Sequence, residues 1–398
     1  MITSKKIYQK NSYLTNLDAN VISCNKNNDL YEIILDQTIF YPHMSGGQPK
    51  DEGTINNKKV LNVFEKDNEI IHVVSKPLKG KVNLNIEFES RFDHMQQHTG
   101  QHILSAYFDK LYNGKTVGFH LSSNYTTIDL NIELNEEMIE NVELHANKII
   151  YANKTIKAKT FSQDEVLKQN LRKPPSLELE SFRLIKIEDC DLIACGGTHV
   201  NNTGEIGIIK IIKAEKYKSG TRVEFLCGKR ALLNYMSSYK ELVSLSTLLT
   251  CRSDMVYDNF IKIKEENRDL KKSISSLQKK INDYIVNELK ENAYVKNDVK
   301  FIFQELQDTD MKDLRFICSK IIEEKNHIAI LFGGTDSSCA LCLGQSKNIN
   351  YNIIELFNNL KEKLDAKGGG NNYLIQGTGT ILNKGEECIE LAKNMLLK

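Results

Sequence analysis

The sequence lacks any apolar run that approaches the ~20 residues a bilayer-spanning helix requires, so we expect a soluble protein without membrane association. It also lacks an excess of one charge, because 53 Lys and Arg face 52 Asp and Glu and the formal net charge is +1. No global basic excess indicates nucleic acid, and any such binding must use local basic patches. The absence of tryptophan and the five prolines exclude nothing.

The chain starts MITSKKIYQKNSYL, without the apolar core of a signal peptide, and its nine cysteines are irregularly spaced. Both features predict a location in the reducing cytoplasm. At 398 residues the chain is too long for one ordinary core, so we expect two to four domains.

Residues 1–88 alternate apolar and polar residues in short bursts separated by polar turns, as in DLYEIILDQTIF, NNKKVLNVFEK, EIIHVVS and KVNLNIEF. This pattern predicts a small antiparallel β domain, a β-barrel. Within it lies TIFYPHMSGGQPKDEG, which contains Gly46, Gly47 and Gln48. Such a segment is either a hairpin loop or a loop whose bare backbone approaches a ligand closely.

Residues 89–235 mix the two periodicities and predict an α+β domain. Strands are indicated by YTTIDLNI, TIKAKTF, SFRLIKI, IGIIKIIKAEKY and TRVEFLCG, and helices by HMQQHTGQHILSAYFDKLY, NEEMIENVELHANKIIYAN and SQDEVLKQ. Asn135 is a predicted N-cap, because acidic residues follow it in the first turn of its helix.

Residues 236–294 are helical in pattern and predict a coiled-coil arm. Val256, Ile263, Leu270, Leu277 and Tyr284 recur every seventh residue, and a complementary seam is formed by Phe260, Asn267, Ile274 and Ile281. Asn267 on an otherwise apolar seam favours one register and partner number. The alternative is a helical hairpin that packs on its own chain.

Residues 295–398 return to an α/β rhythm and predict a separate small domain. Gly368, Gly369 and Gly370 directly follow a predicted helix, which indicates a C-cap and turn or, alternatively, a backbone nest for phosphate. Cys339 and Cys342 form C-x-x-C without a second pair nearby, so we interpret them as buried thiols.

Two pairs of residues with the same spacing are candidate metal ligands. They are His98 and His102 in an H-x-x-x-H motif, and Cys195 and His199 in a C-x-x-x-H motif. The first pair shares one face of a predicted amphipathic helix, near the start of that helix, and glycines between the second pair predict a tight turn. Four nitrogen and sulfur donors suit tetrahedral zinc. His94 extends the histidine ladder by one turn, and we interpret it as a neighbour of the ligands or a substrate contact, with a further ligand as the alternative.

Charged residues near these motifs give further candidates. Asp93, Asp189 and Asp191 can orient a ligand imidazole through its second nitrogen, or else are ordinary surface acids. Basic residues gather in one predicted hairpin and are candidates for contact with a nucleic-acid backbone: Lys210, Lys213, Lys216, Lys218 and Arg222.

The strings RFDHMQQHTGQHIL, CGGTHVNNTGEIGIIKI with GTRVEF, TIFYPHMSGGQPKDEG and AKGGGNNYLIQGTG together resemble the alanyl-tRNA editing proteins. The resemblance covers nearly the whole chain and is to the long form of the AlaX group, which is similar to the editing and C-terminal parts of alanyl-tRNA synthetase. It implies that residues 89–235 are an editing domain and that residues 295–398 are a DHHA1-like domain, which contacts tRNA. In this family the arm commonly dimerises.

The resemblance further implies a trans-acting deacylase of mischarged tRNA(Ala), chiefly seryl-tRNA(Ala) and in some members glycyl-tRNA(Ala). Zinc is the implied cofactor, one ion per chain, bound at the positions matching His98, His102, Cys195 and His199. Gly46, Gly47 and Gln48 would close the site, and Gly368, Gly369 and Gly370 are candidates for tRNA contact.

Hydrolysis of an aminoacyl ester needs a positioned water and charge stabilisation, which zinc can supply. A complete four-ligand set leaves no position for water unless a fifth is recruited, so the metal alternatively orients the terminal adenosine or is purely structural. Selecting serine over alanine requires a hydrogen-bonding partner, for which Thr99, Gln48 and Thr198 are candidates. The rival function is a zinc-stabilised tRNA-binding module without catalysis. A metal-dependent phosphoesterase would need an aspartate-rich metal cluster, which the sequence lacks.

Overall fold

The computed structural model describes residues 4–43, 47–122, 124–174, 181–335, 338–380 and 384–397. The chain divides into two compact units, Met1–Leu245 and Ser246–Lys398. Each unit contains both helices and strands, so the predicted multidomain α+β class is confirmed. Within the described ranges, none of the helices combines the length and apolar character that a bilayer span requires.

The first unit begins with a β domain whose eight strands are β1 (Lys5–Lys6), β2 (Asn16–Asn27), β3 (Leu30–Leu35), β4 (Gln37–Thr38), β5 (Gly53–Ile55), β6 (Lys58–Lys66), β7 (Glu69–Val74) and β8 (Lys81–Ile86). Six of them pair in the order β2-β3-β7-β6-β5-β8 and back to β2, a closed barrel, while β1 pairs with β4 in parallel. The interior side chains alternate with outward ones, as in β8, where Val82, Leu84 and Ile86 are buried.

Helix α1 (Phe88–Tyr112) carries three histidines and differs from its predicted form. Every residue from His94 to Phe108 is buried, so the helix is enclosed on all faces rather than amphipathic. It also begins at Phe88, which places His98 and His102 in its middle and not at its start. The apolar stripe in the sequence predicted burial of one face of α1 only. The polar side chains of α1 are also buried, because neighbouring elements cover them. Asn113 ends the helix in the left-handed conformation.

The rest of the first unit packs around α1. Its further elements are β9 (Thr116–Leu121), β10 (Thr126–Leu130), α2 (Glu136–Tyr151), β11 (Ile156–Ser162), α3 (Gln163–Val166), β12 (Ser181–Ile187), β13 (Asp191–Ala194), β14 (Ile209–Tyr217) and β15 (Gly220–Cys227). They form a four-stranded sheet in the order β14-β15-β10-β9 and a three-stranded sheet in the order β11-β12-β13. The Asn135 N-cap is confirmed, since its side chain accepts from Met138 N. Strands β9 and β13 were not predicted.

Helix α4 (Gly228–Leu248) spans the boundary of the two units, and the second unit contains the remaining elements. These are α5 (Val256–Glu291), β16 (Tyr294–Lys296), β17 (Val299–Glu305), α6 (Met311–Ile322), β18 (His327–Thr335), β19 (Ser338–Gln345), α7 (Ile353–Lys363), β20 (Lys367–Gly370), β21 (Leu374–Gly379) and α8 (Gly385–Leu396). Six strands form one mixed sheet in the order β16-β17-β18-β19-β21-β20. Its two faces pack against α6 and the end of α5, and against α7 and α8.

The glycine run of the second unit is a strand, so the predicted C-cap and turn is wrong. Helix α7 ends at Lys363, and Gly368, Gly369 and Gly370 lie in β20, an exposed edge strand paired with β21. Extended backbone directs successive N–H groups to opposite sides, which is unlike the convergent donors of a phosphate nest.

Helix α5 is continuous over 36 residues and presents the predicted seam to solvent. Its outward apolar side chains are 47% to 76% exposed and include Phe260, Ile263, Leu270, Ile274, Leu277, Ile281 and Tyr284. Only its last turns are covered, where Asn282 donates to Asp313 and Val286 packs beside α6. The prediction of a helix is confirmed.

Candidate metal centre

The structure brings His98, His102, Cys195 and His199 together, although two lie on α1 and two in the loop after β13. Their donor atoms all lie within 4.8 Å of one another. Cys195 Sγ is 3.5 Å from His98 Nε2 and 3.3 Å from His199 Nε2. The three imidazoles are almost completely buried. Residues nearly 100 positions apart therefore form one compact group.

Two of the imidazoles are held through their second nitrogen by neutral side chains. Nδ1 of His98 lies 2.9 Å from Oε1 of Gln48, and Nδ1 of His199 lies 3.2 Å from Oγ1 of Thr99. The Thr99 hydroxyl donates its proton to Met95 O, so it accepts from His199. Each of these Nδ1 atoms therefore carries the proton, and each Nε2 lone pair faces Cys195, as a metal ligand requires.

The third imidazole is held by a carboxylate. Nδ1 of His102 is 3.4 Å from Oδ2 of Asp191, longer than an ordinary hydrogen bond but within the range of charge interaction. Asp191 is in turn fixed by Arg172, whose Nε donates to Oδ1 at 2.8 Å. Of the three candidate acids, only Asp191 takes this role. Asp189 pairs with Lys154 and Asp93 with Arg230, so both form ion pairs elsewhere.

The charges of the group favour a thiolate beside the imidazoles. Burial raises the pKa of Cys195, but His98, His199 and the hydrogen bond with His102 outweigh it and hold that pKa well below its usual value. Burial lowers the pKa of His199 to about 3. Burial also opposes protonation of His102, yet contacts with Asp191 and Cys195 raise its pKa to about 9. These side chains bind metal as a thiolate and neutral imidazoles, so a bound metal ion would take the place of the proton on His102.

The donor set and its spacing fit a metal ion. Bonds of about 2.0 to 2.3 Å at tetrahedral angles place neighbouring donors about 3.3 to 3.6 Å apart, which the two measured Sγ to Nε2 distances match. The second nitrogens face Gln48, Asp191 and Thr99, an arrangement typical of metal-binding histidines. The group can therefore hold a metal ion.

Close packing fixes the loop against α1. A Cβ on Gly197 would lie 2.2 Å from Cε1 of His98, whereas one on Gly196 would meet nothing nearer than 3.9 Å. Phe119 stacks on His98, with ring centroids 5.3 Å apart, and also lies against Gly47. Gly47 has φ +84°, a conformation that favours glycine. Gly46 lies outside the described residues.

Three of the other candidate substrate residues, Gln48, Thr99 and Thr198, are already hydrogen-bonded within or beside the group. Gln48 is buried, its amide donates to Thr198 Oγ1 at 2.8 Å, and its Oε1 accepts from Thr198 N. Thr99 and Thr198 are completely buried. His94 is not among the four clustered residues, and its buried Nδ1 has no hydrogen-bond partner among the described residues.

The basic hairpin is formed by β14 and β15, as predicted, but most of its charges are neutralised. Four of its five basic residues pair with acids: Lys210 with Glu143, Lys213 with Glu215, Lys216 with Glu133 and Arg222 with Asp129. The ammonium of Lys218 lies 5.3 Å from the centroid of the Tyr217 ring. Contact with phosphate would therefore have to displace existing acid partners at four positions.

Besides Arg172, which holds Asp191, sequence reasoning missed two residues of the site. Phe119 stacks on His98, and Nη1 of Arg183 donates to the carbonyl oxygens of Cys195 and Gly197 at 2.8 and 2.9 Å. Arg183 thus holds the backbone of the loop formed by residues 195–199, which we call the metal-site loop. Neither residue belongs to a motif, and no signal in the sequence marks an arginine within an alternating strand as a support for a distant loop.

Known proteins resemble the chain along almost its whole length. The family described as "Threonyl and Alanyl tRNA synthetase second additional domain" matches residues 182–224, which include Cys195 and His199. The chain is 31% identical to the alanyl-tRNA editing protein AlaX-L of Pyrococcus horikoshii, with 98% of each chain covered. It is 29% identical to the alanyl-tRNA editing protein Aarsd1 of Danio rerio, covering 98% of this chain and 97% of that protein. The alanine–tRNA ligase of Pyrococcus abyssi is 28% identical over 92% of this chain but only 41% of its own length.

The fold and the site define a mixed α+β protein with a group of three buried histidines and one half-buried cysteine. Part of this group lies in a segment that matches the second additional domain of threonyl- and alanyl-tRNA synthetases. At 31% identity over almost the entire length of both chains, the chain belongs to the family of alanyl-tRNA editing proteins.

Proposed function

We propose that the chain is a trans-acting aminoacyl-tRNA deacylase that hydrolyses the ester of mischarged tRNA(Ala), chiefly seryl-tRNA(Ala) and also glycyl-tRNA(Ala). The observation that carries this proposal is the group of His98, His102, Cys195 and His199 in a chain that aligns along 98% of its length with an alanyl-tRNA editing protein. This activity would protect the fidelity of translation.

The cofactor in this proposal is one zinc ion per chain, held by the same four side chains, because three imidazoles and a thiolate are zinc ligands. When bound, zinc would supply Lewis-acid polarisation of an ester carbonyl and of a water. The chain itself contributes the orientation of the ligands through Gln48, Thr99 and Asp191. Burial of the group excludes bulk water, which strengthens every charge interaction within it.

Substrate recognition in this proposal involves Gly46, Gly47, Gln48, Thr99, Thr198 and His94. A pocket that selects serine over alanine must offer the extra hydroxyl a polar partner. The amide of Gln48 and the Thr99 hydroxyl already hold ligand imidazoles, so their effect on substrate is to fix the site. His94 is one turn before His98 on α1 and has an unpartnered Nδ1 among the described residues, which makes it the best-placed group for a new polar contact.

The larger architecture is proposed in the same terms: a β domain at 1–88, an editing domain at 89–235, a helical arm at 236–294 and a DHHA1-like domain at 295–398. The partner is tRNA(Ala), contacted through Lys210, Lys213, Lys216, Lys218, Arg222 and the strand Gly368–Gly370. A salt titration of tRNA affinity tests this electrostatic contribution, and a slope near zero would contradict it. Homodimerisation through α5 completes the proposal, since its seam is exposed.

The decisive experiment is incubation of the purified, metal-analysed chain with seryl-, glycyl- and alanyl-tRNA(Ala), followed by measurement of released amino acid. We expect rapid release of serine, slower release of glycine and almost no release of alanine. The variant His98→Ala should lose metal and activity, whereas His120→Ala, which alters an exposed histidine outside the group, should keep both.

Circular dichroism separates loss of chemistry from loss of folding in these variants. A folded, metal-loaded chain that binds tRNA(Ala) but leaves every ester intact would contradict the deacylase and support a metal-stabilised binding module. Equal release of alanine and serine would contradict editing.

A further inference from the structure

A cleft of about 820 Å³ opens beside the metal-site loop, within the first unit. One wall is the N-terminal segment Ser4–Ser12, and the other is formed by strands β11 and β12 with the residues just after the loop. Its volume lies in the range of ligand sites. His199 lines it, so the cleft reaches one of the four candidate metal ligands.

The cleft carries charge of one sign. Five of the described residues that line it are basic and none is acidic; the basic ones are Lys5, Lys6, Lys10, Lys159 and Arg183. A chain with a net charge of only +1 therefore concentrates cations here. Clefts lined by one sign of charge focus the field and attract ions of the opposite sign. The occupant that fits is an anion.

These cations differ from those of the β14–β15 hairpin, because most are not neutralised by the protein. Lys6 pairs with Glu65, but among the described residues Lys5, Lys10 and Lys159 have no carboxylate partner. The ammonium of Lys159 lies 4.9 Å from the centroid of the Phe161 ring. Three ammonium groups are thus available to a ligand without the loss of an existing ion pair.

Arg183 connects the cleft to the metal site. Its Nη1 donates to the carbonyl oxygens of Cys195 and Gly197, while its buried Nε has no hydrogen-bond partner among the described residues. The guanidinium likewise has no carboxylate partner in the described ranges, although desolvation of an unpaired cation is costly. An anion in the cleft would lower that cost and would lie against the loop that carries two metal ligands.

The lining also indicates how a nucleic acid would be recognised here. Besides His199 it includes no aromatic side chain on which a base could stack, and its uncharged polar side chains include the amides of Gln9, Asn11 and Asn201. Without an aromatic stacking platform other than His199, the main attraction for a nucleic acid is that of the basic side chains for its phosphate groups, and such contacts fix position and not sequence.

We propose that this cleft binds the phosphate groups of the last nucleotides of a single-stranded RNA 3′ end, with Lys5, Lys10 and Lys159 as the contacting cations, and thereby positions the terminal ester at the metal site. The identity of the ligand in this inference rests on the proposed function. The inference adds where the 3′-terminal nucleotides of the tRNA bind. The binding of a short RNA can be measured apart from hydrolysis, so the two proposals are tested separately.

The test compares the full-length wild type with the triple variant Lys5→Gln, Lys10→Gln and Lys159→Gln. The control is Lys59→Gln, Lys76→Gln and Lys79→Gln, which removes the same charge from exposed residues that do not line the cleft. The probe is the fluorescently labelled trinucleotide CCA with a 5′-phosphate, and its affinity is measured by anisotropy between 50 and 200 mM salt, concentrations over which phosphate contacts are strongly salt-dependent.

We expect the cleft variant to bind the trinucleotide at least about tenfold more weakly, with the control unchanged. Since each phosphate contact to a single strand contributes ~0.7 to the salt slope, three lost contacts should flatten that slope by about 2. The KM for seryl-tRNA(Ala) should rise in the cleft variant while kcat changes less, because the metal ligands are untouched.

Equal trinucleotide affinity and salt slope in the wild type and the cleft variant would overturn the proposal, as would equal losses in the control. AMP that binds the wild type as tightly as the trinucleotide would also overturn it, in favour of a free-nucleotide site. If the wild type binds the trinucleotide through these lysines but releases no amino acid from any tRNA, the cleft stands and the deacylase proposal fails.

Discussion

At the scale of single residues, the metal-site loop depends on which of its two glycines faces α1. Gly197 lies against His98, where a Cβ would come within 2.2 Å of Cε1, while Gly196 is open to its surroundings. A methyl group at residue 197 must therefore move His98 or the loop, and either movement separates donors that now lie 3.5 Å apart. Adjacent, chemically identical residues thus differ in what they tolerate.

We predict that Gly197→Ala lowers metal affinity by at least about 10-fold, the scale on which disturbed ligand orientation acts, and that Gly196→Ala leaves it within about 2-fold. Competition with a chromophoric chelator measures both. Equal metal affinities for the two variants would contradict this prediction, because they would mean that the loop can accommodate a methyl group beside His98.

The buried His72 in the barrel should make the unfolding free energy of the protein fall at acidic pH. It is completely buried, its Nε2 lies 2.8 Å from Thr38 Oγ1, and burial lowers its pKa to about 4 from an ordinary 6.5. Because the folded pKa is below the unfolded one, the unfolded chain binds the proton more tightly. The contribution of neutral His72 is therefore complete above pH 6.5 and is lost as the pH falls towards 4.

Urea denaturation at pH 7 and pH 4.5 should show that His72→Gln reduces the pH dependence of the unfolding free energy. A 2.5-unit pKa difference corresponds to about 3 kcal/mol, most of which falls within this interval. An unfolding free energy with the same pH dependence in the wild type and the variant would rule out this role for His72.

At the scale of elements, α1 is fixed to the barrel by one buried ion pair. Arg91 is fully buried; its Nε donates to Asp51 at 2.7 Å and its other nitrogens donate to Ser12 O and Ile39 O. Asp51 also accepts from Tyr41 N, which follows β4. This pair sets where α1 begins and hence where His98 lies relative to Gln48 of the barrel domain.

Removal of one partner leaves a buried charge without compensation, so Arg91→Met should cost about 3 to 5 kcal/mol of unfolding free energy. The double variant Arg91→Met with Asp51→Leu should cost less than the sum of the single changes. Denaturant titration of all four chains gives this coupling. Strict additivity would mean that the two groups do not compensate each other in the fold.

At the scale of the whole molecule, the exposed seam of α5 predicts self-association. An apolar side chain at every third or fourth position, interrupted only by Asn267, is a knobs-into-holes surface that a second α5 can cover. We therefore expect the purified chain to be dimeric at micromolar concentration in light scattering, and Leu270→Glu with Leu277→Glu to make it monomeric.

Lys272→Glu with Lys279→Glu is the matched control, since these exposed residues lie on the same helix but off the seam. It should remain dimeric. The proposal of a dimer formed through α5 would be contradicted by either of two results. One is a wild type that stays monomeric at tens of micromolar, and the other is a control that dissociates as readily as the seam variant.

The sequence by itself determined those features that depend on residues close together along the chain. Alternation at period two placed the barrel strands, the seven-residue repeat placed α5, and the spacing of two split pairs singled out four residues that do lie together. These features were readable because the side chains that define an element, or share one face of it, are close neighbours along the chain.

Only the tertiary structure decided what depends on distant partners. Asp191 faces His102 while Asp93 and Asp189 pair elsewhere, Gln48 reaches Thr198 across 150 positions, and the glycine run becomes a strand because β21 lies beside it. No local pattern encodes such pairings, since each arises only when separate elements pack and buried polar groups must find a partner. The same packing paired four basic residues of the hairpin with acids, whereas Lys5, Lys10 and Lys159 of the cleft have no carboxylate partner in the described ranges.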